Sequence, residues 1–222
     1  MSNKNGQMSL VDAALDYVAG RLHVFPCKAG LKQPATIRGF YDATTDVNQI
    51  RSWWSKNPAF NIGIACGASR LAVIDIDGST GEAGFAELES RFGKLPETTT
   101  VITPGRGGGR HLIYQGSDEL FTMVGIAPGV DFKAAGGHIV AVPSTHPNGG
   151  EYQFEKGKSF TEKPPAKLPP LWIDYLQQLC TERADAAYHT KPLALSATVP
   201  LPTESRVISI SVGTIGSVVI GR

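Results

Sequence analysis

A chain of 222 residues, 41% hydrophobic and 18% charged, can bury the core of one ordinary domain and still carry a tail; its net charge of +1 excludes a chain-wide attraction to nucleic acid, so any such contact must be a local basic patch. Cys27, Cys66 and Cys180 are far apart and form no CxxC pair, which argues against a disulfide framework or a structural zinc site and fits a reducing cytoplasm. The N-terminal MSNKNGQMSL lacks the apolar core of a secretory signal, and no stretch approaches the ~20 apolar residues of a spanning helix, so no membrane partner is expected.

Residues 1–8 are polar and read as a flexible N-terminus. From Ser9, a capping residue, Leu10, Val11, Ala14, Leu15 and Val18 recur at helical spacing, and Gly20 is placed to stop the helix. Leu22–Pro26 reads as a short strand. The turn-rich Cys27–Gly39 that follows carries Lys28, Lys32 and Arg38, a loop suited either to nucleic-acid phosphate or to plain solvation. A second helix is predicted over Thr45–Asn57, capped by Thr45 or Asp46, with Ile50, Trp53 and Trp54 on its apolar side. The tryptophan pair suits core packing, with base stacking as the alternative.

Asn61–Gly67 is a strand between glycines, and Leu71–Gly78, LAVIDIDG, follows after only three residues, a spacing that predicts a hairpin. The second strand is the centre of the chain. Alternate side chains of a strand share a face, so Asp75 and Asp77 point the same way. Side by side they repel, and a hard divalent cation such as magnesium or manganese relieves that repulsion; an ordinary Asp-Gly turn is the plainer alternative.

Glu82–Phe92 is predicted as a helix ended by Gly93, and Val101–Thr103 as a strand running into PGRGGG, after which Arg110 and His111 open the strand HLIY. These glycines admit an anion to the backbone amides, with Arg106, Arg110 and His111 as donors, although the segment is neither a P-loop nor a dinucleotide fingerprint. Gly129–Lys133 alternates Val130 and Phe132 with Asp131 and Lys133, giving one buried face and one wet or functional face. Gly136–Pro143 and Glu151–Phe154 read as further strands. Four prolines between 160 and 170 mark a wrapping linker, and Leu171–Cys180 is a last amphipathic helix. Residues 9–183 therefore form the domain and 184–222 a tail or linker, rich in Ser, Thr, Pro and β-branched residues.

Three acids on strand ends, a basic glycine turn and a lysine beside the third acid suit phosphoryl chemistry, with Asp75, Asp77 and Asp131 holding metal and His111, Lys133 and Arg106 or Arg110 gripping phosphates. At these residues the chain resembles the bifunctional primase–polymerase domain of the archaeo-eukaryotic primase superfamily, found in phage, plasmid and prophage replication proteins. VIDIDG is similar to that family's first motif, Gly109–His111 to its small-x-His motif and Val130–Asp131 to its third. Lys32-Gln33-Pro34, DATTD at Asp42–Asp46, the WW pair with NPAFNIGIACG, and AVPSTHPNGGEY are familiar surrounding phrases, over about residues 10–180.

The resemblance implies an α/β (α+β) fold in which an RNA-recognition-like antiparallel sheet joins an N-terminal α/β unit around a cleft. It implies template-directed nucleotidyl transfer on single-stranded DNA from nucleoside triphosphates with Mg2+ or Mn2+. By that pattern Asp75, Asp77 and Asp131 carry the metals, His111 contacts the triphosphate, and Lys133 and Ser144 are further nucleotide contacts. Many relatives continue into a helicase; no Walker A motif occurs here, so a helicase would act from a longer chain or in trans. Two rivals stand beside this reading. DIDGS also resembles the nucleophile motif of haloacid-dehalogenase-like phosphatases, which place it near the domain start among parallel strands. A non-catalytic module that binds DNA or a helicase is the other.

Overall fold

A computed structural model of the chain describes residues 8–105 and 107–190. The expectations for residues 1–7, for Arg106 and for the tail from 191 onward lie outside the described residues. No helix among the described residues is long and apolar enough to cross a membrane.

The first helix, α1 (Leu10–Ala19), starts at Ser9, whose Oγ accepts the Asp12 N–H at 3.2 Å. Its stop differs from expectation by one residue. Gly20 keeps an ordinary φ of −78°, and the left-handed residue is Arg21, at φ 65°, which turns buried Leu22 back into the core. After β1 (Val24–Cys27) and a 3-10 turn at Gly39–Asp42 comes α2 (Val47–Lys56), capped by Asp46, whose Oδ1 accepts Asn48 N–H at 2.8 Å. Trp54 is buried and donates its indole N–H to Phe60 O at 2.9 Å. With its ring in the core, it is unavailable for base stacking.

Next come β2 (Asn61–Ala65) and β3 (Leu71–Asp77), and these do not form the expected hairpin. β2 pairs with β1 and with β8 (His138–Val140), whereas β3 pairs with β5 (Gly109–Gln115) and β7 (Val130–Lys133), all antiparallel. The physical reason lies in the connection. Ser69 N–H and Leu71 N–H donate back to Ala65 O and Cys66 O, and Arg70 sits at φ 52°, so a tight coil re-aims the chain into a second sheet. Period-two patterning reports which face a residue occupies and says nothing of which strand lies beside it.

The remaining elements are α3 (Gly78–Phe92), β4 (Thr99–Thr103), β6 (Met123–Ala127), β9 (Gln153–Phe154) and α4 (Pro170–Thr190). β6 was not expected: Gly125 and the exposed Val124 interrupt its alternation, and its register against β7 shifts. The strands form a three-stranded sheet in the order β1-β2-β8 and a six-stranded sheet in the order β6-β7-β3-β5-β4-β9. This is a mixed α/β architecture with antiparallel sheets.

β3 runs through the middle of the larger sheet with both faces covered, which is why Leu71–Ile74 are all buried. Leu71, Val73, Val101 and Ile113 share a core with α1, α2 and the small sheet. Ala72, Ile74, Ile76 and Leu112 share another with α3 and α4. Burying Val73 and Ile74 from both sides contributes about 1.5–3 kcal/mol each and holds the strand against the charges at its end. The proline-bearing segment wraps as expected, Ala166 O accepting Gln115 N–H at 2.9 Å. α4 docks through Trp172 and Leu176 and continues past Cys180 to Thr190; Arg183 donates to Val124 O and Gly125 O at 2.6 and 2.8 Å, covering part of the β6 edge.

α3 approaches the β6–β7 turn through two buried glycines, Gly81 and Gly84, where a Cβ would run into Gly129 O and Pro128 O. That turn sets β7, and with it Asp131, beside Asp75. Gly84→Ala offers about 1 kcal/mol of helix propensity but forces a methyl against a backbone carbonyl, for which about 1–3 kcal/mol or more is the usual cost. The clash wins, so thermal or urea unfolding is expected to show Gly84→Ala destabilised, while the same change at exposed Gly93, beyond the helix end, reports only the strain of its positive φ.

Candidate active site

Three strands converge on Asp75. In the antiparallel register Asp75 lies directly opposite His111 of β5 on one side and Asp131 of β7 on the other. Residues directly opposite share a face, and Asp77 shares it two residues along β3. The four side chains expected to act together therefore stand on one sheet face, at the end where the buried run Leu71–Val73 gives way to solvent. They line a cavity of about 490 Å³ whose facing wall is built from the loop Lys32–Pro34 and from β8.

Like charges opposite each other on a sheet destabilise it, and two of the three acids here have a compensating partner. Asp75 Oδ1 lies 3.3 Å from His111 Nε2. Burial pushes the Asp75 carboxyl up, but the His111 hydrogen bond and charge, with Lys133 and Lys32, outweigh it and hold the carboxyl below the usual carboxylate range. Asp131 Oδ2 takes a 2.6 Å ion pair from Lys133 Nζ, and its Oδ1 accepts Gly125 N–H at 2.7 Å. Asp77 has neither. Burial, and then the charges of Asp75 and Asp131, push its carboxyl above the usual range despite the opposing pull of Lys32.

The imidazole of His111 is buried and packs near the ring of Tyr152 at 6.1 Å. Among the described residues its Nδ1 has no partner and its one polar contact is the Asp75 carboxylate, so the ring is oriented from within the site. His138, on the facing wall, is held below its ordinary pKa by burial and is neutral at pH 7.

Other expected site residues fall elsewhere. Arg110 precedes His111 in the same strand and so points to the opposite face, where it pairs with Glu82 of α3 at 2.7 Å and lies over the Phe85 ring. It is not a cavity residue, and strand alternation already implied as much. Ser144 is fully buried; its Oγ accepts Ile62 N–H at 2.9 Å, tying a loop to β2 away from the cavity. Arg38 is paired with Asp42 at 2.7 Å and Lys28 is exposed, and neither lines the cavity, whereas Lys32 does. Arg106 lies outside the described residues. Tyr152 and His138 were not singled out in the sequence, because their positions depend on where β8 and the 141–152 segment return.

Among the described residues, no three His, Cys, Asp or Glu side chains converge into a ready metal site. The donor chemistry nevertheless suits a hard cation: three carboxylates share a face, and Asp77, which has no partner among the described residues, is penalised by burial and by its acidic neighbours. The arrangement does not suit the phosphatase alternative, since β3 is antiparallel to both of its neighbours rather than part of a parallel sheet.

A carboxyl whose folded pKa is raised favours the fold while protonated, and that contribution is lost as pH rises through the folded value. The α3 N-terminus next to Asp77 favours an anion, but Asp77 makes no capping hydrogen bond and the net shift is upward. Asp77→Asn is therefore expected to raise the melting temperature in chelator at pH 7 and to leave it unchanged near pH 3. A lower melting temperature at pH 7 would mean that helix capping, not repulsion, dominates at this position.

Residues 14–172 match a family model described as Prim-Pol, bifunctional DNA primase/polymerase, N-terminal. No curated protein matches the chain.

Proposed function

The chain belongs to the bifunctional DNA primase/polymerase N-terminal family, and from that premise we propose that it joins nucleotides on a single-stranded DNA template by a two-metal mechanism, making or extending primers in the replication of a phage, plasmid or other mobile element. The observation that carries the reading is the register: Asp75 lies between His111 and Asp131, with Asp77 on the same face, in a cavity wide enough for a nucleotide. The six-stranded sheet acts as the RNA-recognition-like half, α1, α2 and the small sheet as the N-terminal unit, and the cavity between the sheets as the active-site cleft. Residues 9–183 serve as the catalytic unit. Free cysteines, two of them buried, suit a reducing cytoplasm.

Asp75, Asp77 and Asp131 would hold Mg2+ or Mn2+, which when bound activates the attacking oxygen and stabilises the leaving phosphate. The protein's own groups do the rest. Asp75 orients the His111 ring toward the position of the triphosphate, and Lys133 balances Asp131 and competes with a cation for it. The mostly buried Tyr152 closes the floor of the cavity against water. A replicative helicase, in a longer chain or in trans, would present the template.

Primer synthesis and extension on single-stranded DNA with Mg2+ or Mn2+ tests this reading. The intact protein is expected to make polymer, and Asp75→Ala and Asp131→Ala to reduce it by about 10²–10³-fold or more. Phosphate release without polymer would point to a phosphatase, and DNA binding with neither product to a binding module.

A further inference from the structure

The cavity has two walls, and the carboxylates occupy only one of them. Of the described lysines and arginines, Lys32 and Lys133 line the cavity, and the Lys133 ammonium is engaged by Asp131 at 2.6 Å. Lys32 stands on the facing wall. Among the described residues no carboxylate lies within ion-pair distance of it, although its charge is felt at both Asp75 and Asp77.

Lys32 also sits on a segment that is held rather than loose. Lys28 N–H donates to Gln33 O at 2.8 Å, Leu31 N–H to Lys28 O at 2.9 Å, and Ala35 N–H to Pro26 O at 2.8 Å, so the loop is closed on the end of β1. Asn61, buried in β2, donates through Nδ2 to Leu31 O at 3.0 Å and to Thr145 O at 2.6 Å. The Nε2 of His138 lies 3.4 Å from Lys32 O. A backbone tied from three directions fixes the root of a side chain whose flexible stem ends in an unspent charge. This is the arrangement that lowers the ordering cost of binding an anion.

Resting on the primase–polymerase reading, we propose that Lys32 is a substrate-binding residue that takes the triphosphate of the incoming nucleotide from the wall opposite the carboxylates, with Asn61 as the positioning residue that sets its loop. The carboxylates hold the substrate through cations, whereas Lys32 contacts phosphate oxygen directly, so the phosphates lie between the two walls. This separates Lys32 from Lys28 and Arg38, which do not line the cavity, Arg38 being paired with Asp42.

The side chain is exposed, so Lys32→Gln is expected to fold, and its melting temperature checks this. Binding of a fluorescent dATP analogue with Mg2+, and of a labelled single-stranded oligonucleotide without nucleotide, is measured for the wild type, Lys32→Gln and Lys32→Arg. The proposal expects Lys32→Gln to weaken nucleotide affinity and raise the nucleotide KM by about ten- to a hundred-fold, Lys32→Arg to recover much of it, and oligonucleotide affinity to stay within about two-fold. Unchanged nucleotide affinity in Lys32→Gln, beside a wild type that binds nucleotide and makes polymer, overturns the assignment and leaves the function standing. Loss of oligonucleotide affinity instead overturns it in favour of a template role. A wild type that binds no nucleotide overturns both.

Discussion

Two carboxylates, Asp75 and Asp131, face each other across neighbouring strands, with a third, Asp77, two residues away on the same side. Left alone, such a group costs the sheet free energy, because like charges directly opposite repel in a medium that screens them poorly. The surrounding structure reads as a response to that cost. The apolar run of β3 is clamped between two cores, so the strand cannot rotate its acids away. His111 and Lys133 compensate one acid each, and two glycines in α3 permit the close approach that keeps β7 in register. Among the described residues Asp77 has no such partner; burial, and then the charges of Asp75 and Asp131, raise its carboxyl, a penalty that a bound cation can relieve.

This arrangement places the carboxylates on one wall and Lys32 on the other. The carboxylate wall is built from three strands of the larger sheet, with short contacts and little freedom. The facing wall belongs to the smaller sheet and the loop after β1, so the cavity is a seam between two layers rather than a pit in one.

Much of this was readable from residues alone. Asp75 and Asp77 declare their shared face by spacing, Asp131 and Lys133 by alternation with Val130 and Phe132, and Ser9, Asp46 and Gly93 mark helix ends through local chemistry that depends on few distant contacts. The failures are non-local. β2 and β3 look like a hairpin because pattern and spacing are local, while β8, β5 and β7, three of the strands they pair with instead, all lie beyond α3 in the chain. Ser144 resembles a functional loop residue until the strand whose amide it accepts is known. Arg110 is a different case: the alternation that assigns Asp131 and Lys133 to one face places Arg110 on the other face from His111, and only their adjacency in sequence groups the two. Lys32 shared a loop with two other cations, and only the folded position of β8 and Asn61 separates it from them.

The proposed function requires the acids of β3 and β7 to form one cation-binding face. Electron paramagnetic resonance of Mn2+ in the presence of a nucleoside triphosphate, with the wild type compared against Asp75→Asn and Asp131→Asn, tests it most directly. Protein-bound Mn2+ is expected in the wild type, about two ions per chain at saturation, with loss of that binding in both variants while each stays folded. Equal Mn2+ binding in the wild type and both variants would contradict it, since the cation would then be held by the nucleotide or by other residues.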